Sequence, residues 1–221
     1  MCIRDSVGDI YFGEKKRFEK GGIRHASDVA SYDENQISSV AKLAFEAARK
    51  RKAKVSSVDK ANVLAIGKLW REVVLEVAKD YQDIELEHIL VDNCAMQLIK
   101  NPSQFDVILT PNMFGDILSD AAAVLPGSLG VMASASMNSE GFGLFEPPGG
   151  SAQDIAGKGV ANPVGQILSL AMMFRFSFGL EKQAEAIELA VEKTIDKGIR
   201  TGDIGGKSST SEVGDAICSE L

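Results

Sequence analysis

The sequence predicts an α/β protein in which parallel strands alternate with helices, and three observations support this fold class. Short runs such as residues 55–58 and 105–109 have the length of buried strands, and the second contains the apolar residues 107–109. Longer segments with helical apolar spacing separate these runs, and the connecting loops are short. The composition is that of a globular chain, with 221 residues, 45% hydrophobic and 25% charged.

The elements are predicted from residue 10 onwards. A short strand at residues 10–12 precedes an exposed excursion that ends at Asp33. A helix is predicted from Glu34, because charges at its two ends complement the helix dipole and six apolar residues recur at helical spacing: Ile37, Val40, Ala41, Ala44, Phe45 and Ala48. The later predictions are strands at 55–58 and 105–109, an apolar run at 89–91, and helices over 67–81, 93–100, 113–124, 164–178 and 181–197.

Composition divides the chain and excludes several classes of protein. After Pro126 the sequence becomes rich in Gly, Ser, Ala and Pro, so a domain boundary is predicted at Pro126 or Gly127. The net charge of −7 argues against a nucleic-acid partner. The uncharged stretches are too short to cross a bilayer, and three widely spaced cysteines favour a reducing compartment, the cytoplasm.

The first six residues, Met-Cys-Ile-Arg-Asp-Ser, lack the apolar region of a signal peptide. They can be back-translated into a transposon adaptor sequence. The resulting hypothesis is a truncated reading frame whose natural sequence begins near Val7, and sequencing of the intact locus would test it.

Acidic residues at the ends of two predicted strands are candidate metal ligands. Asp116 and Asp120 are four residues apart at the start of a helix, so both carboxylates share one helix face. A hard cation would offset their repulsion, and oxygen ligands favour Mg²⁺ or Mn²⁺. Asp92 ends another apolar run and is a candidate third carboxylate. The alternatives are that these aspartates cap helices or are solvated.

Two further side chains are candidate proton-transfer groups. Lys60 follows a predicted strand, and a lysine close to a metal and a carboxylate can have its pKa moved toward neutrality. Tyr11 lies between apolar residues. Without other context, Lys60 would be a solvated loop residue and Tyr11 a tyrosine at the core or its rim.

The segment 146–163 contains four glycines in eleven residues and precedes a helix, so backbone N–H groups can approach a ligand closely. It matches neither GxGxxG nor a P-loop. Asp154 can bond ribose hydroxyls and repel a 2′-phosphate, which favours NAD over NADP. A plain surface loop is the alternative.

Together these segments resemble the β-decarboxylating dehydrogenases, the family of isocitrate and isopropylmalate dehydrogenases, most closely its isopropylmalate-oxidising branch. The matching segments run in order along nearly the whole chain: 10–13, 57–64, 91–92, 105–106, 112–120, 127–130, 134–136, 146–163 and 200–203. The resemblance implies a two-domain fold that is not a Rossmann fold, with the amino-terminal third absent. Residues 1–126 would be the second domain, for dimerisation and metal binding, and residues 127–221 the carboxy-terminal part of the NAD-binding domain.

The resemblance also implies roles for individual residues. Tyr11 and Lys60 would be the acid/base pair. The ligands of Mg²⁺ or Mn²⁺ would be Asp92, Asp116 and Asp120, and Asp92 would also contact substrate. The NAD-binding loop would include Gly150, Ser151, Ala152, Asp154, Ile155, Gly157 and Asn162. Arg4 aligns with a substrate-binding arginine, a match that is accidental if the adaptor hypothesis is right.

Members of this family are homodimers with shared active sites, so Lys60 and Asp92 are expected to come from the partner chain. The implied reaction is the NAD-dependent oxidative decarboxylation of a 2-hydroxy acid, 3-isopropylmalate, to 2-oxoisocaproate in leucine biosynthesis. Tartrate or homoisocitrate dehydrogenases and a non-catalytic regulatory subunit are alternatives within the family, and a Mg²⁺-dependent phosphohydrolase is one outside it. The isolated fragment is expected to be inactive and poorly soluble.

Two positions depart from the family pattern. Gly8 and Asp9 stand where the family usually has two glycines, and Gly149 stands where some members have histidine. Neither change affects the candidate acid/base or metal residues.

Overall fold

The computed structural model describes residues 1–138 and 140–221. The chain divides into two compact units, Met1–Ala122 and Ala123–Leu221. This division lies a few residues before the boundary at 126/127 that composition indicates. The roles assigned to the two domains stay predictions.

A four-stranded parallel sheet is the centre of the first unit. In chain order this unit contains β1 (Cys2–Arg4), β2 (Lys15–Lys20), β3 (Ile23–Asp28), α1 (Glu34–Arg49), β4 (Lys54–Asp59), α2 (Ala65–Ala78), β5 (Glu85–Leu90), α3 (Val91–Lys100), β6 (Val107–Thr110) and α4 (Asn112–Ala123). The strand order in the sheet is β1-β6-β4-β5, with every pair parallel. The predicted α/β class is therefore confirmed.

Both faces of this sheet are covered, and its two central strands, β4 and β6, are accordingly buried along almost their whole length. Val55, Val107 and Leu109 pack with α1 and α2 on one face. On the other face, Val58 and Ile108 pack with residues of α3 and α4. The polar residues at the strand ends are thereby brought to one edge of the sheet.

Helix α1 forms where its sequence pattern indicates. Asp33 caps it, accepting a hydrogen bond from the Gln36 N–H at 2.9 Å, while the Gln36 side chain accepts from the Asp33 N–H at 3.1 Å. All six predicted apolar positions are buried. Local capping and apolar spacing agree here, so the prediction is confirmed.

The segment before α1 differs from its prediction in two ways. Residues 10–12 form a turn, not a strand, because Asp9 has a positive φ of 72° and the apolar triplet has no neighbouring strand to pair with. The excursion contains an antiparallel hairpin, β2–β3, whose residues are all exposed. Residues 2–4 form strand β1, which was not predicted.

The second unit is built mainly from helices. It contains the hairpin β7 (Ser134–Met137) and β8 (Gly143–Glu146), followed by α5 (Val164–Phe176), α6 (Glu181–Asp196) and α7 (Thr210–Ser219). Helices α5 and α6 were predicted, whereas the hairpin and α7 were not. Among the described residues, none of the helices has the length and apolarity needed to cross a membrane.

Candidate active site

Tyr11 and Asp116 meet in the first unit. The Tyr11 hydroxyl donates a hydrogen bond to the Asp116 carboxylate at 2.6 Å. The Arg4 guanidinium forms an ion pair with the same carboxylate, and its Nε donates to the Asn112 side chain at 2.9 Å. Arg4 and Tyr11 thus both contact Asp116, although they lie 112 and 105 positions before it in the sequence. All three residues have predicted roles.

The electrostatics of this cluster follow from those contacts. The hydrogen bond that Tyr11 donates raises the pKa of Tyr11 and, as the main cause, lowers the pKa of Asp116. At neutral pH the tyrosine is therefore protonated and the aspartate ionised. Tyr11 is 43% exposed, so its proton is accessible to a bound molecule.

The start of helix α4 is held by side chains from outside the helix. The Asn112 N–H donates to the Tyr32 hydroxyl at 2.9 Å, and the Met113 N–H donates to the Asp9 carboxylate at 3.0 Å. The Asn112 side chain donates to the Gly8 carbonyl at 3.1 Å. Because the first N–H groups of a helix lack intrahelical partners, these contacts stabilise α4 and tie the β1–β2 loop to it.

Lys60 and Asp92 form a second pair, at the ends of neighbouring strands β4 and β5. The Lys60 Nζ lies 2.6 Å from the Asp92 carboxylate. This hydrogen bond is the main cause that lowers the pKa of Asp92. The Asp92 side chain is 60% exposed, so the pair faces away from the core of this unit.

Asp59 is a neighbouring residue that sequence reasoning missed. Its carboxylate is completely buried and accepts hydrogen bonds from Arg71 Nε at 2.8 Å and Nη2 at 2.9 Å. It also accepts from the Ala61 N–H at 2.9 Å. The signal in the sequence was the position of Asp59, which is the last residue of β4 and immediately precedes the candidate base Lys60.

His88, on β5, lies beside this ion pair. Its Nδ1 is 3.9 Å from the Asp59 carboxylate, and both ring nitrogens are buried with no hydrogen-bond partner in the described part of the chain. Burial, followed by the charge of Arg71, lowers the pKa of His88. The folded state therefore binds a proton at this site less readily than the unfolded chain does.

This difference predicts that acid destabilises the protein at His88. As the pH falls below about 6.5, the unfolded chain takes up a proton that the folded state resists, so the free energy of unfolding decreases. Urea denaturation followed from about pH 7.5 to 5.5 should show the decrease, and His88→Phe should weaken it. His25→Phe, at an exposed position of β3, is the matched control. An equal decrease in wild type and in His88→Phe would contradict the prediction.

The predicted metal ligands do not assemble within one chain. Asp116 is 44% exposed in its side chain, and Asp120, one turn further along α4, is exposed. Over residues 1–138 and 140–221, no group of three or more His, Cys, Asp or Glu side chains is close enough to hold a metal ion. The two carboxylates on α4 are the oxygen donors that suit Mg²⁺ or Mn²⁺, but a complete site needs a ligand from elsewhere.

The predicted NAD-binding loop lies in the second unit. Gly150, Gly157 and Gly159 all have positive φ values, and Asp154 is exposed. The loop is irregular, and the Thr210 side chain ties it to the start of α7 by donating to the Ala161 carbonyl at 2.5 Å. Its glycines therefore form turns within an exposed segment.

Asp203 holds one end of this loop, a role that sequence reasoning did not assign. Its carboxylate accepts hydrogen bonds from the side chains of Ser128, Thr201 and Asn162, the last at 3.0 Å. Burial raises the pKa of Asp203, but these hydrogen bonds outweigh that effect and lower it. Asn162 in turn accepts from the Val164 N–H at 3.0 Å, at the start of α5.

Comparison with known families identifies the family to which this chain is similar. A family model described as isocitrate/isopropylmalate dehydrogenase matches residues 1–217. The chain belongs to this family. The resemblance inferred from the motifs is therefore confirmed across nearly the whole chain.

Similar curated proteins in the family are 3-isopropylmalate dehydrogenases. The protein of Desulfotalea psychrophila is 56% identical over the whole chain, and that of Escherichia coli O157:H7 is 53% identical over 98% of it. The chain spans 63% and 61% of the lengths of these two relatives. Among solved structures, isocitrate dehydrogenase from Methylococcus capsulatus has a TM-score of 0.89 and 37% identity, covering 99% of this chain and 66% of that one.

A second solved structure, a β-decarboxylating dehydrogenase from Thermococcus kodakarensis, has a TM-score of 0.86 and 39% identity. It covers 97% of this chain and 62% of that one. The predicted family fold is thus confirmed for the part that this chain spans. The roles of its individual site residues, and the origin of residues 1–6, stay predictions.

Proposed function

We propose that a protein with this chain is an NAD-dependent and Mg²⁺- or Mn²⁺-dependent dehydrogenase that oxidises and decarboxylates 3-isopropylmalate. The observation that carries the proposal is the hydrogen bond from Tyr11 to Asp116, which joins the proposed proton donor to a proposed metal ligand. The high identity to 3-isopropylmalate dehydrogenases supports the choice of substrate. The same similarity supports a role in leucine biosynthesis, and three free cysteines support a cytoplasmic location.

Asp116 and Asp120, with Asp92 of a second subunit, would hold the divalent ion. When bound, the ion would supply Lewis-acid polarisation of the substrate's hydroxyl and carboxylate, and NAD would supply the hydride acceptor. Asp154 and the backbone of the 150–162 loop would bind the adenosine part of NAD. Asn162, held by Asp203, would fix the carboxy-terminal end of that loop.

Two side chains would move protons. Lys60, in its neutral amine form, takes the proton from the substrate hydroxyl as the carbon beside it loses hydride to NAD and becomes a carbonyl. Loss of CO₂ from the resulting β-keto acid leaves a carbon that needs a proton, and Tyr11 donates it from its hydroxyl. The hydrogen bond to Asp116 raises the pKa of Tyr11, which favours the protonated form that this step needs. The Arg4 guanidinium, 5.5 Å from the Tyr11 ring centroid, would attract the substrate carboxylate.

A homodimer is part of this proposal, and the exposed hairpin β2–β3 supports it. All twelve of its strand residues are exposed, including Phe18 and Ile23 at 50% and 64%. A two-stranded hairpin is at best marginally stable alone, and its free edges can pair with another chain. A second copy of the same hairpin would satisfy these edges symmetrically.

Helices α3 and α4 also support association. They pack on the same face of the sheet through Cys94, Leu98 and Leu118. Their outer surfaces carry Met96, Ile99 and Ile117 at 60%, 81% and 61% exposure. Exposed apolar side chains of this size are typical of a protein interface. An interface here would also lie close in sequence to Asp92 and Asp116, the ligands to be shared.

The assay requires a complete enzyme. We define the completed protein as this chain placed behind the amino-terminal segment of the Desulfotalea psychrophila relative. With Mg²⁺ and 3-isopropylmalate it should reduce NAD, seen as absorbance at about 340 nm, and should release CO₂. Chelation of the metal should abolish turnover, and Mg²⁺ or Mn²⁺ should restore it.

Parallel assays discriminate the alternatives. Reduction of NAD with tartrate or homoisocitrate, but not with 3-isopropylmalate, would reassign the substrate. Faster reduction of NADP than of NAD would contradict the role given to Asp154. Absence of NAD reduction with every acid, in a folded dimer, would favour a regulatory subunit. Release of phosphate from phosphate esters would instead indicate a phosphohydrolase.

A further inference from the structure

The backbone that carries Lys60 is held unusually closely by helix α2. Gly67 lies in the first turn of α2, and a Cβ added to it would be 2.9 Å from both the carbonyl carbon of Lys60 and the nitrogen of Ala61. Those atoms belong to the backbone and cannot rotate away. Only glycine allows α2 to approach the Lys60–Ala61 peptide this closely.

Arg71 adds a second contact from the same face of α2, since it lies four residues after Gly67. It bonds the buried carboxylate of Asp59 through two nitrogens, and that carboxylate holds the Ala61 N–H. A bidentate pair of this kind fixes orientation as well as distance. The Lys60–Ala61 peptide is therefore held by Asp59, the last residue of β4, as well as by its close contact with α2.

The turn after Lys60 adds two hydrogen bonds to the same peptide. The Lys60 carbonyl accepts hydrogen bonds from the N–H groups of Val63 at 3.0 Å and Leu64 at 2.9 Å. The peptide that follows Lys60 is thus restrained at both its carbonyl and its N–H, while the Lys60 side chain extends toward Asp92. Its side chain is 26% exposed.

We propose that Gly67, Asp59 and Arg71 are positioning residues that set the place from which Lys60 removes the substrate proton. This inference rests on the proposed function of Lys60. None of the three touches the reacting atoms; they act through the Lys60 backbone. A displacement of the base by about 1 Å costs up to about a hundredfold in rate, so a methyl group at position 67 has a measurable effect on turnover.

The test is Gly67→Ala in the completed protein, with Gly214→Ala as the matched control. Gly214 also lies inside a helix, α7, and apart from the adjoining backbone of that helix no described atom lies within 4 Å of the position its Cβ would occupy. We expect Gly67→Ala to lower kcat by about tenfold to a hundredfold. The KM for NAD should be unchanged in both variants. Arg71→Met should resemble Gly67→Ala, and Arg71→Lys should recover part of the loss.

Two readouts separate positioning from loss of folded protein. With substrate deuterated at the oxidised carbon, Gly67→Ala should show a larger isotope effect on kcat, because proton removal and hydride transfer become limiting. Partial unfolding would lower kcat without changing the isotope effect. Hydrogen exchange should accelerate at the Ala61, Val63 and Leu64 amides, while the β4 amides stay protected.

The outcomes distinguish this inference from the proposed function. If the wild type is active, a normal kcat and unchanged hydrogen exchange in Gly67→Ala would overturn the positioning role. A wild type that reduces no NAD would overturn the proposed function, and the exchange experiment would still test whether Gly67 holds the Lys60 turn. Exchange that accelerates equally over β4 and the turn would identify Gly67 as a residue needed for folding alone.

Discussion

Replacing Lys60 by methionine or Tyr11 by phenylalanine is expected to lower kcat of the completed protein by about 10²–10⁴-fold. Each change removes a proton-transfer group and keeps most of the side-chain volume. Neither residue belongs to the 150–162 loop, so the Kd for NAD should change by less than about threefold. The expected defect is thus in turnover and not in cofactor binding.

The measurement combines steady-state kinetics with a fluorescence titration of NAD. Lys68→Met, at an exposed position of α2, and Tyr81→Phe, at a ring stacked on Phe45 with centroids 4.9 Å apart, are the matched controls. Both controls should retain normal kcat. Near-normal turnover in Lys60→Met and Tyr11→Phe would refute the assigned roles, and an equal loss in Tyr81→Phe would mean that the tyrosine effect is structural.

A mixture of two inactive variants is expected to recover activity if the active site is shared between subunits. In a heterodimer of Lys60→Met with Tyr11→Phe, one site combines the intact Tyr11 of the first subunit with the intact Lys60 of the second. The other site lacks both. Random pairing makes half of the dimers mixed, so an equal mixture should reach about a quarter of the wild-type rate.

This experiment addresses the separation of the two pairs, Tyr11 with Asp116 and Lys60 with Asp92. The variants are unfolded together, refolded as a mixture and assayed, with each variant refolded alone as a control. A mixture of Lys60→Met with Asp92→Asn is a second control, because both residues belong to the same pair and no site in their heterodimer is intact. Absence of recovery in the first mixture, with heterodimers verified by mass, would show that each site is built from one chain.

The elements predicted correctly are those in which local and long-range preferences agree. Helix α1 has its capping box, its charged ends and its apolar spacing within one segment. Strand β6 is apolar because both faces of the parallel sheet are covered, whereas β4 also buries two serines, Ser56 and Ser57. The segment at residues 10–12 is apolar too, but Asp9 turns the chain and no strand lies beside it, which a short pattern cannot reveal.

In the candidate site, too, local spacing predicts some of the side-chain arrangements, and tertiary packing decides the others. Asp116 and Asp120 could be paired from their spacing on one helix, because that spacing is a property of the helix itself. The contact between Tyr11 and Asp116 depends on the β1–β2 loop folding back onto α4. Asp203 and Asn162 are likewise brought together only by the packing of their unit.

Family, fold class and the list of chemically capable side chains could all be inferred from residue order, since motifs, caps and apolar spacing are encoded over short stretches. The contacts between those side chains could not be inferred from residue order. Burial of Asp59 beneath Arg71, and the approach of Gly67 to the Lys60 backbone, arise when α2 packs against β4. Such contacts depend on distances between remote segments, and those distances exist only once the hydrophobic core has closed around them.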